Sequence, residues 1–323
     1  MMRNTTVDNI LDVIQTHSRF LIVSHVNPDG DSISSLLLLK TLLNNMEKTS
    51  VALIQDVVPD KFSFLSGVES IKREVPDNFT ADVIIVADSS EQSRTGDNIE
   101  IFAGNAVVIN IDHHISNQQF GDLNYIESGA SSATELVYNL IEKSNKDIDT
   151  AMAEMIYTGI YCDTGRFSFP NTTASALSVC AEMVEKGARP QRIFEHLYNR
   201  STKETTVALG KALSNLEFFF EDKVASMYLA NGDLSSSDKI ETDGFVDSLL
   251  AIEGTEVEFF MVEEEPGRIR VSLRSKEYID VNSLARRFGG GGHVRAAGCT
   301  VSGDINSVKD LILEELKGMF DRE

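Results

Sequence analysis

The stretch that decides the fold is Phe20-Leu-Ile-Val-Ser24-His25-Val-Asn-Pro-Asp29-Gly-Asp31, in which an apolar run changes abruptly to polar residues. A short run of branched apolar residues is typical of a strand buried on both faces of a parallel sheet. In open parallel sheets, ligands bind beyond the carboxyl ends of the strands. The stretch therefore predicts a buried strand followed directly by a ligand site.

Two further strands in the first half end in the same way, with Asp88 after one and Asp112-His113-His114 after the other. The predicted strands are 20–23, 51–54, 83–87 and 106–111, and the predicted helices are 34–44, 131–143 and 150–161. This alternation predicts an α/β fold with a parallel sheet and helices on both faces. Several strands would then deliver their polar side chains to one edge of the sheet.

The side chains expected at that edge form a mixed nitrogen and oxygen ligand set. They are His25, Asp29, Asp31, Asp88, Asp112, His113 and His114, joined by Asp163 at the end of a helical segment. Such a set suits Mn²⁺, Fe²⁺, Co²⁺ or Zn²⁺ better than Mg²⁺ or Ca²⁺. Each residue alone has an ordinary explanation, since Asp29 could stabilise a turn and Asp88 could cap a helix. Their conjunction favours two ions about 3.5–4 Å apart that activate a bridging hydroxide.

The second half of the sequence predicts a different arrangement of helices and strands. We predict a first domain over 1–190, a helical linker over 191–215, and a smaller α+β domain over 216–323. Its predicted elements are strands 223–230, 257–264 and 268–274 and a helix over 281–288. Backbone N–H groups of Gly290, Gly291 and Gly292 could surround an anion, and Arg274 and His293 could pair with a phosphate. Arg286, Arg287 and Arg295 predict a basic patch nearby.

Composition limits the ligands and the compartment. The 323 residues carry a formal net charge of −21, which disfavours long nucleic acid because affinity for it requires Lys and Arg. A phosphate-ester substrate should therefore be small. The sequence shows no secretory signal and no apolar run long enough for a bilayer. Three widely spaced cysteines indicate no disulfide framework, so we expect a cytoplasmic protein with no membrane contact.

The ordered motifs resemble those of a known family. His25-x-x-Pro28-Asp29-x-Asp31, Asp88, Asp112-His113-His114 and Asp163 are similar in order to the DHH phosphoesterase superfamily. Val271-Ser-Leu-Arg-Ser275 and Gly289-Gly-Gly-Gly-His293 look like its C-terminal DHHA1 domain. The resemblance covers nearly the whole chain. It is to the short members that degrade oligoribonucleotides and dephosphorylate 3′-phosphoadenosine 5′-phosphate (pAp).

The resemblance implies a role for each matched residue. His25 and Asp29 would hold one Mn²⁺, Asp31, His113 and Asp163 would hold a second, and Asp88 would bridge them. Catalysis would involve Asp88, His113, His114 and Asp112, with Asp112 orienting a histidine and His114 near the substrate phosphate. Arg274, Gly290, Gly291, Gly292 and His293 would bind substrate. Ser34-Ser35 departs from the family pattern, which usually has Gly followed by Ser.

The resulting expectation is Mn²⁺-dependent hydrolysis of short oligoribonucleotides to nucleoside monophosphates, and of pAp, in a cleft between the domains. Dinucleotides and small nucleotide phosphates are further expected ligands, and a homodimer is compatible with the sequence. Cyclic di-AMP or linear dinucleotide phosphodiesterase activity is the close alternative. A pyrophosphatase fits the motifs of the second half less well. An exonuclease for long single-stranded DNA fits the negative net charge less well. A non-catalytic nucleotide-binding regulator is the most remote alternative, because the ligand set is complete.

Overall fold

The computed structural model describes residues 5–97, 102, 104–199, 201–233, 240 and 242–321. The chain divides into two compact units, residues 1–200 and 201–323. This division falls inside the segment 191–215 that we predicted as a linker. Within the described residues, no helix combines the length and the apolar character that crossing a membrane requires.

The first unit contains a parallel sheet flanked by helices. Its elements are α1 (Val7–Thr16), β1 (Arg19–Val23), α2 (Gly30–Asn45), β2 (Thr49–Leu53), β3 (Val83–Ala87), β4 (Val107–Asp112), β5 (Leu123–Ile126), α3 (Ala133–Lys143), α4 (Thr150–Asp163), α5 (Ala174–Glu185) and α6 (Pro190–Tyr198). Among the described residues the strand order is β2-β1-β3-β4-β5, with all pairs parallel. The predicted parallel α/β fold is confirmed, whereas α1 and β5 were not foreseen.

The two faces of this sheet are covered differently. The larger apolar cluster joins one face to residues of α1 to α6, including Leu36 and Ile156. On the other face, Leu21 and Val86 pack against side chains from the connecting segments, among them Phe79 and Phe120. Apolar residues on both faces explain why the strands appear in the sequence as continuous apolar runs.

Strand register brings the polar segments to one edge. Val23 of β1 pairs with Val86 of β3, and Ala87 of β3 pairs with Ile111 of β4. The three strands therefore end at nearly the same level. Their carboxyl ends lead into the segments that carry the predicted metal ligands, as the sequence pattern predicts.

The second unit is a mixed sheet with helices. Its elements are α7 (Lys203–Ser214), β6 (Glu217–Phe219), β7 (Val224–Leu229), β8 (Val257–Glu265), β9 (Arg268–Ser275), α8 (Val281–Arg287), β10 (Gly291–His293), β11 (Ala296–Ser302) and α9 (Ile305–Phe320). The order is β10-β11-β9-β8-β7-β6, and among the described strands of this unit β7 with β8 is the one parallel pair. One apolar cluster lies against α8 and α9, and a second lies against α7. The predicted α+β character is confirmed.

Candidate metal centre and active site

The histidines and aspartates predicted at the sheet edge converge into three overlapping groups whose ligand atoms lie close enough together to hold a metal ion. The groups are His25 with Asp29 and Asp88; Asp31 with His113 and Asp163; and Asp88 with Asp112, His113 and His114. Within each group the candidate ligand atoms lie within 4.8 Å of one another. Because only Asp88 and His113 recur, they connect the groups into one cluster.

Asp88 occupies the centre of the cluster. Its Oδ2 lies 3.3 Å from Nε2 of His25, and its Oδ1 lies 3.7 Å from Nε2 of His113. The residue has a φ of 56°, a backbone conformation that residues other than glycine seldom adopt and that occurs at functional sites. Its Oδ1 is buried and accepts no hydrogen bond among the described residues. A buried carboxylate oxygen in this state is suited to a cation.

Asp31 is held by the N-terminus of α3. Its Oδ2 accepts a hydrogen bond from the backbone N–H of Ala133 (2.7 Å), and its Oδ1 accepts one from the N–H of Thr134 (2.8 Å). Helix N-termini stabilise anions through such N–H groups and through the helix dipole. The Ser132 side chain caps the same helix by accepting from the N–H of Glu135. The start of α3 therefore combines a side-chain cap at Ser132 with backbone N–H groups that orient a candidate ligand.

His25 and Asp29 are positioned by local hydrogen bonds. Nδ1 of His25 donates to the carbonyl of Val26 at 2.7 Å, which directs Nε2 towards the cluster. Asp29 caps α2 by accepting from the backbone N–H groups of Asp31 and Ser32. Its side chain is 54% exposed, unlike the other aspartates of the cluster. Asp29 therefore combines the capping role with a place at the open side of the site.

Asp112 is paired with His114. Nδ1 of His114 lies 2.7 Å from Oδ1 of Asp112, which is fully buried. Asn117, which the sequence analysis missed, donates to Oδ2 of Asp112 at 2.6 Å and to Asn110 at 2.8 Å. Asp112 is therefore fixed on both oxygens, and it orients the imidazole of His114.

Asp163 ends α4 and has an amide partner of its own. Asn171 donates to Oδ2 of Asp163 at 3.1 Å and to the carbonyl of Ser131 at 2.9 Å. This contact ties the candidate ligand to the start of α3. Neither Asn117 nor Asn171 belongs to a recognisable motif, because an asparagine in a loop has the same appearance in sequence as a turn residue.

The electrostatics of the cluster are those of crowded buried carboxylates. Burial and the charge of Asp88 raise the pKa of Asp31 to about 7. Burial and the charges of Asp31 and Asp88 raise the pKa of Asp163 well above its usual range. Burial opposes ionisation of Asp88, but the hydrogen bond from His25 and nearby histidine charges hold its pKa below the usual range. Divalent cations would relieve the repulsion among these carboxylates.

His25 and His114 are shifted in the same direction by their carboxylate partners. Burial alone would lower the pKa of His25, but the hydrogen bond to Asp88 and the charge of Asp29 outweigh it and raise the pKa to about 9. Burial likewise opposes protonation of His114, yet its hydrogen bond to Asp112 raises the pKa. In the metal-free protein the two imidazoles therefore partly balance the carboxylate charge.

The site departs from the family pattern at Ser34 without crowding the ligands. Ser34 and Ser35 are both fully buried on α2. Ser35 Oγ lies 3.0 Å from Oγ1 of Thr134 and 3.4 Å from Oδ1 of Asp31. Ser34 Oγ has no hydrogen-bond partner among the described residues. Ser35 thus belongs to the surroundings of Asp31, whereas nothing in the structure explains the hydroxyl of Ser34.

The residues predicted to bind substrate lie on or directly before two strands of the second unit, β9 and β10, which flank β11. They are Arg274, Gly290, Gly291, Gly292 and His293. Arg274 of β9 pairs with Ala296 of β11, which also pairs with His293 of β10. A Cβ at Gly290 would lie 2.1 Å from the carbonyl oxygen of Gly298, and one at Gly292 would lie 2.5 Å from that of Ala296. Close backbone packing therefore requires glycine at both positions, and anion binding there stays a prediction.

Two of the three arginines expected to form a basic patch are engaged in structural contacts. Arg287 forms an ion pair with Glu315. Arg295 donates to the carbonyls of Glu277 and Ile279. The carboxylate of Glu315 offsets the charge of Arg287, so the predicted patch is wrong for that residue. Arg295 donates to neutral carbonyls and keeps its charge, so its part in a basic patch stays a prediction.

Comparison with known proteins gives consistent matches along the chain. Residues 19–160 match the DHH family, N-terminal domain, and residues 203–320 match the DHHA1 domain. A Thermus thermophilus protein named bifunctional oligoribonuclease and PAP phosphatase NrnA is 32% identical, over 92% of this chain and 88% of that protein. A Bacillus subtilis protein of the same name is 30% identical, over 90% of this chain and 92% of that protein.

The fold also matches a solved structure. The crystal structure of an exopolyphosphatase-related protein from Bacteroides fragilis has a TM-score of 0.89 and 28% sequence identity to this chain. The match covers 98% of this chain and 97% of that one. The fold is therefore shared with that protein over 97% of its chain.

Proposed function

Because the chain belongs to the DHH family and carries its DHHA1 domain, we propose that it hydrolyses short oligoribonucleotides to nucleoside monophosphates and also hydrolyses pAp. Membership makes it a hydrolase that acts on phosphate ester bonds. The substrate proposal is supported by the names of two relatives that match about nine-tenths of the chain. The net charge of −21 supports short substrates over long ones.

The observation that carries the proposal is the position of Asp88 between two histidines. We propose that His25 and Asp29 hold one divalent cation, that Asp31, His113 and Asp163 hold another, and that Asp88 bridges them. Imidazole and carboxylate ligands favour Mn²⁺ over Mg²⁺ or Ca²⁺. Such a pair of ions, when bound, polarises phosphoryl oxygens and lowers the pKa of a water molecule between them.

The other residues of the cluster orient groups around the reacting phosphate. We assign to His114 a hydrogen bond to the substrate phosphate, since Asp112 holds its imidazole through Nδ1 at 2.7 Å. Asn117 fixes Asp112, and the N-terminus of α3 fixes Asp31. Such supporting contacts commonly change metal affinity or activity by about 10–100-fold when removed.

In the second unit, we propose that Arg274, His293 and the backbone around Gly290, Gly291 and Gly292 bind an anionic group of the substrate. Arginine can contact a phosphate through two parallel N–H groups. The three cysteines are free, which agrees with the cytoplasmic location that we propose.

The test is a substrate panel with the purified chain and Mn²⁺. The panel contains pApA, a pentanucleotide RNA, a long RNA, pAp, cyclic di-AMP and pyrophosphate. Asp88→Ala removes the central carboxylate, and Asp147→Ala removes an exposed aspartate outside the cluster as the matched control. We expect the short RNAs and pAp to be consumed by the wild type and by Asp147→Ala, but not by Asp88→Ala.

The other outcomes discriminate among the alternatives. Consumption of cyclic di-AMP alone would replace the proposal with a cyclic dinucleotide phosphodiesterase. Nucleotide binding without any turnover in Mn²⁺ would indicate a regulator. Efficient degradation of the long RNA would refute the restriction to short substrates.

A further inference from the structure

Arg274 lies on a face of the second unit's sheet that a separate segment covers. Along β9, Ile269, Val271 and Leu273 are buried in the cluster formed with α8 and α9, so Arg274 points to the opposite face. Residues 242–249 lie over that opposite face. Phe245 of this segment packs on Phe260 of β8, with ring centroids 5.5 Å apart.

The covering segment supplies a carboxylate to Arg274. Nε of Arg274 donates to Oδ1 of Asp247 at 2.8 Å, and Nη1 donates to the carbonyl of Leu273 at 3.0 Å. The side chains of Arg274 and Asp247 are 20% and 30% exposed. The ion pair is therefore partly shielded from solvent, where charge-assisted hydrogen bonds are stronger than at a fully exposed surface.

Asp247 is itself held rigidly. It lies in a short 3₁₀ helix, Phe245–Leu249, in which Phe245, Val246 and Leu249 are buried in the apolar cluster beside α7. Because the neighbouring residues of the 3₁₀ helix are buried, the carboxylate of Asp247 has little freedom to move with the arginine side chain. The guanidinium therefore adopts the orientation that Asp247 sets, and not the reverse.

Another acidic residue beside Arg274 does not compete for this role. Glu258 of β8 is opposite Arg274 in the sheet register, but its carboxylate lies 3.2 Å from Nζ of Lys276 and accepts a hydrogen bond from Thr255. Asp247 is thus the carboxylate that pairs with Arg274 among the described residues. Asp247 accepts from Nε and the carbonyl of Leu273 accepts from Nη1. Because a guanidinium has five N–H donors, one N–H of Nη1 and both of Nη2 remain for an anion, about three donors.

We propose that Asp247 is a positioning residue that fixes the guanidinium of Arg274 for an anionic group of the substrate. The inference rests on the proposed function, in which Arg274 binds substrate. A fixed guanidinium loses less side-chain freedom when the anion binds. Because Asp247 acts through Arg274, it should affect binding of ligand and leave the chemical step unchanged.

Equilibrium binding of adenosine 5′-monophosphate to the full chain tests this without requiring turnover. We expect Asp247→Ala to weaken binding by about 3- to 10-fold, the scale of one immobilised side chain. Asp247→Asn, which keeps an oxygen acceptor for Nε, should lie between that variant and the wild type. Asp243→Ala is the matched control, because Asp243 is an exposed aspartate of the same segment that pairs with Arg270 and not with Arg274.

A double-mutant comparison distinguishes positioning from general damage. In an Arg274→Ala background, Asp247→Ala should change binding by less than about twofold, with the thermal unfolding midpoint as a check on folding. For short RNA, Asp247→Ala should raise KM and leave kcat unchanged.

Each contrary result has a distinct meaning. An equal loss from Asp247→Ala with or without Arg274, or unchanged or tighter binding from Asp247→Ala alone, would overturn the positioning role. No binding of the nucleotide by the wild type would also overturn it. Turnover of short RNA by that same preparation shows separately whether the proposed function fails.

Discussion

Removal of divalent metal should give the first unit an unusual pH dependence, in which stability falls as pH rises from about 4.5 to about 6.5. The cause is Asp31, whose pKa is raised to about 7 by burial and by the charge of Asp88. In the unfolded chain this carboxyl group ionises near its usual pKa of about 3.9. Throughout the window this group is therefore mostly ionised in the unfolded state and mostly protonated in the folded state. Unfolding thus becomes more favourable as pH rises.

The magnitude follows from the linkage between proton binding and unfolding. For one group with these two pKa values, the free energy of unfolding falls by about 2.5 kcal/mol across the window. Asp163 adds to the fall, because its pKa is also raised. The depressed pKa of Asp88 contributes stability that is lost only at lower pH, as pH falls through its folded pKa. The pKa of His25, raised to about 9, contributes stability that is lost only above the window.

The assay is calorimetric unfolding of the full chain in chelator and in saturating Mn²⁺, at constant ionic strength. The side chain that Asp31→Asn introduces cannot ionise. As pH rises across the same window, the free energy of unfolding of the metal-free variant should therefore fall by about 2.5 kcal/mol less than that of the wild type. With Mn²⁺, the trend should reverse, because ligation requires deprotonated carboxylates. Parallel pH profiles for wild type and Asp31→Asn in chelator would refute the reasoning.

Three further substitutions test the surroundings of the sites. Asn117→Ala removes the 2.6 Å donor to Asp112 and should lower kcat for short RNA by about 10–100-fold with little change in stability, so an unchanged kcat would contradict it. Asn171→Ala removes the donor to Asp163 and should weaken Mn²⁺ binding by about 10–100-fold, measured by titration calorimetry; equal affinity would count against that role. Glu256→Ala leaves three consecutive backbone N–H groups without their carboxylate and should lower the free energy of unfolding by about 1–3 kcal/mol, measured by denaturant titration, without affecting Mn²⁺ affinity; a loss of metal binding would contradict it.

The candidate ligands at the sheet edge follow strands that can be recognised from their own short sequences, without reference to distant residues. The apolar run of β1 predicts burial, and the abrupt change at its end predicts the edge at which His25 and Asp88 meet. The predicted cluster therefore needed only the parallel order of neighbouring strands. β5 was missed because its four residues include Asn124 and Tyr125, which give no continuous apolar signal.

The supporting contacts could not be predicted because they join residues that are far apart in the chain. Asp31 is held by backbone N–H groups 102 and 103 residues away, and backbone groups have no sequence signature. Arg274 is held by Asp247, 27 residues away in a short 3₁₀ helix. The partners of Arg295 could not be predicted for the same reason, since its carbonyl partners become adjacent only when β9 and β11 pair.

The most direct test of the two-metal account is the number and coupling of Mn²⁺ ions bound per chain. Equilibrium dialysis with elemental analysis gives the stoichiometry, and electron paramagnetic resonance reports whether the ions are magnetically coupled. The account predicts two coupled Mn²⁺ ions in the wild type and in Asp147→Ala. In Asp88→Ala it predicts that both the coupling and the hydrolysis of short RNA are lost. One uncoupled Mn²⁺ per chain in a fully active wild-type preparation would contradict it.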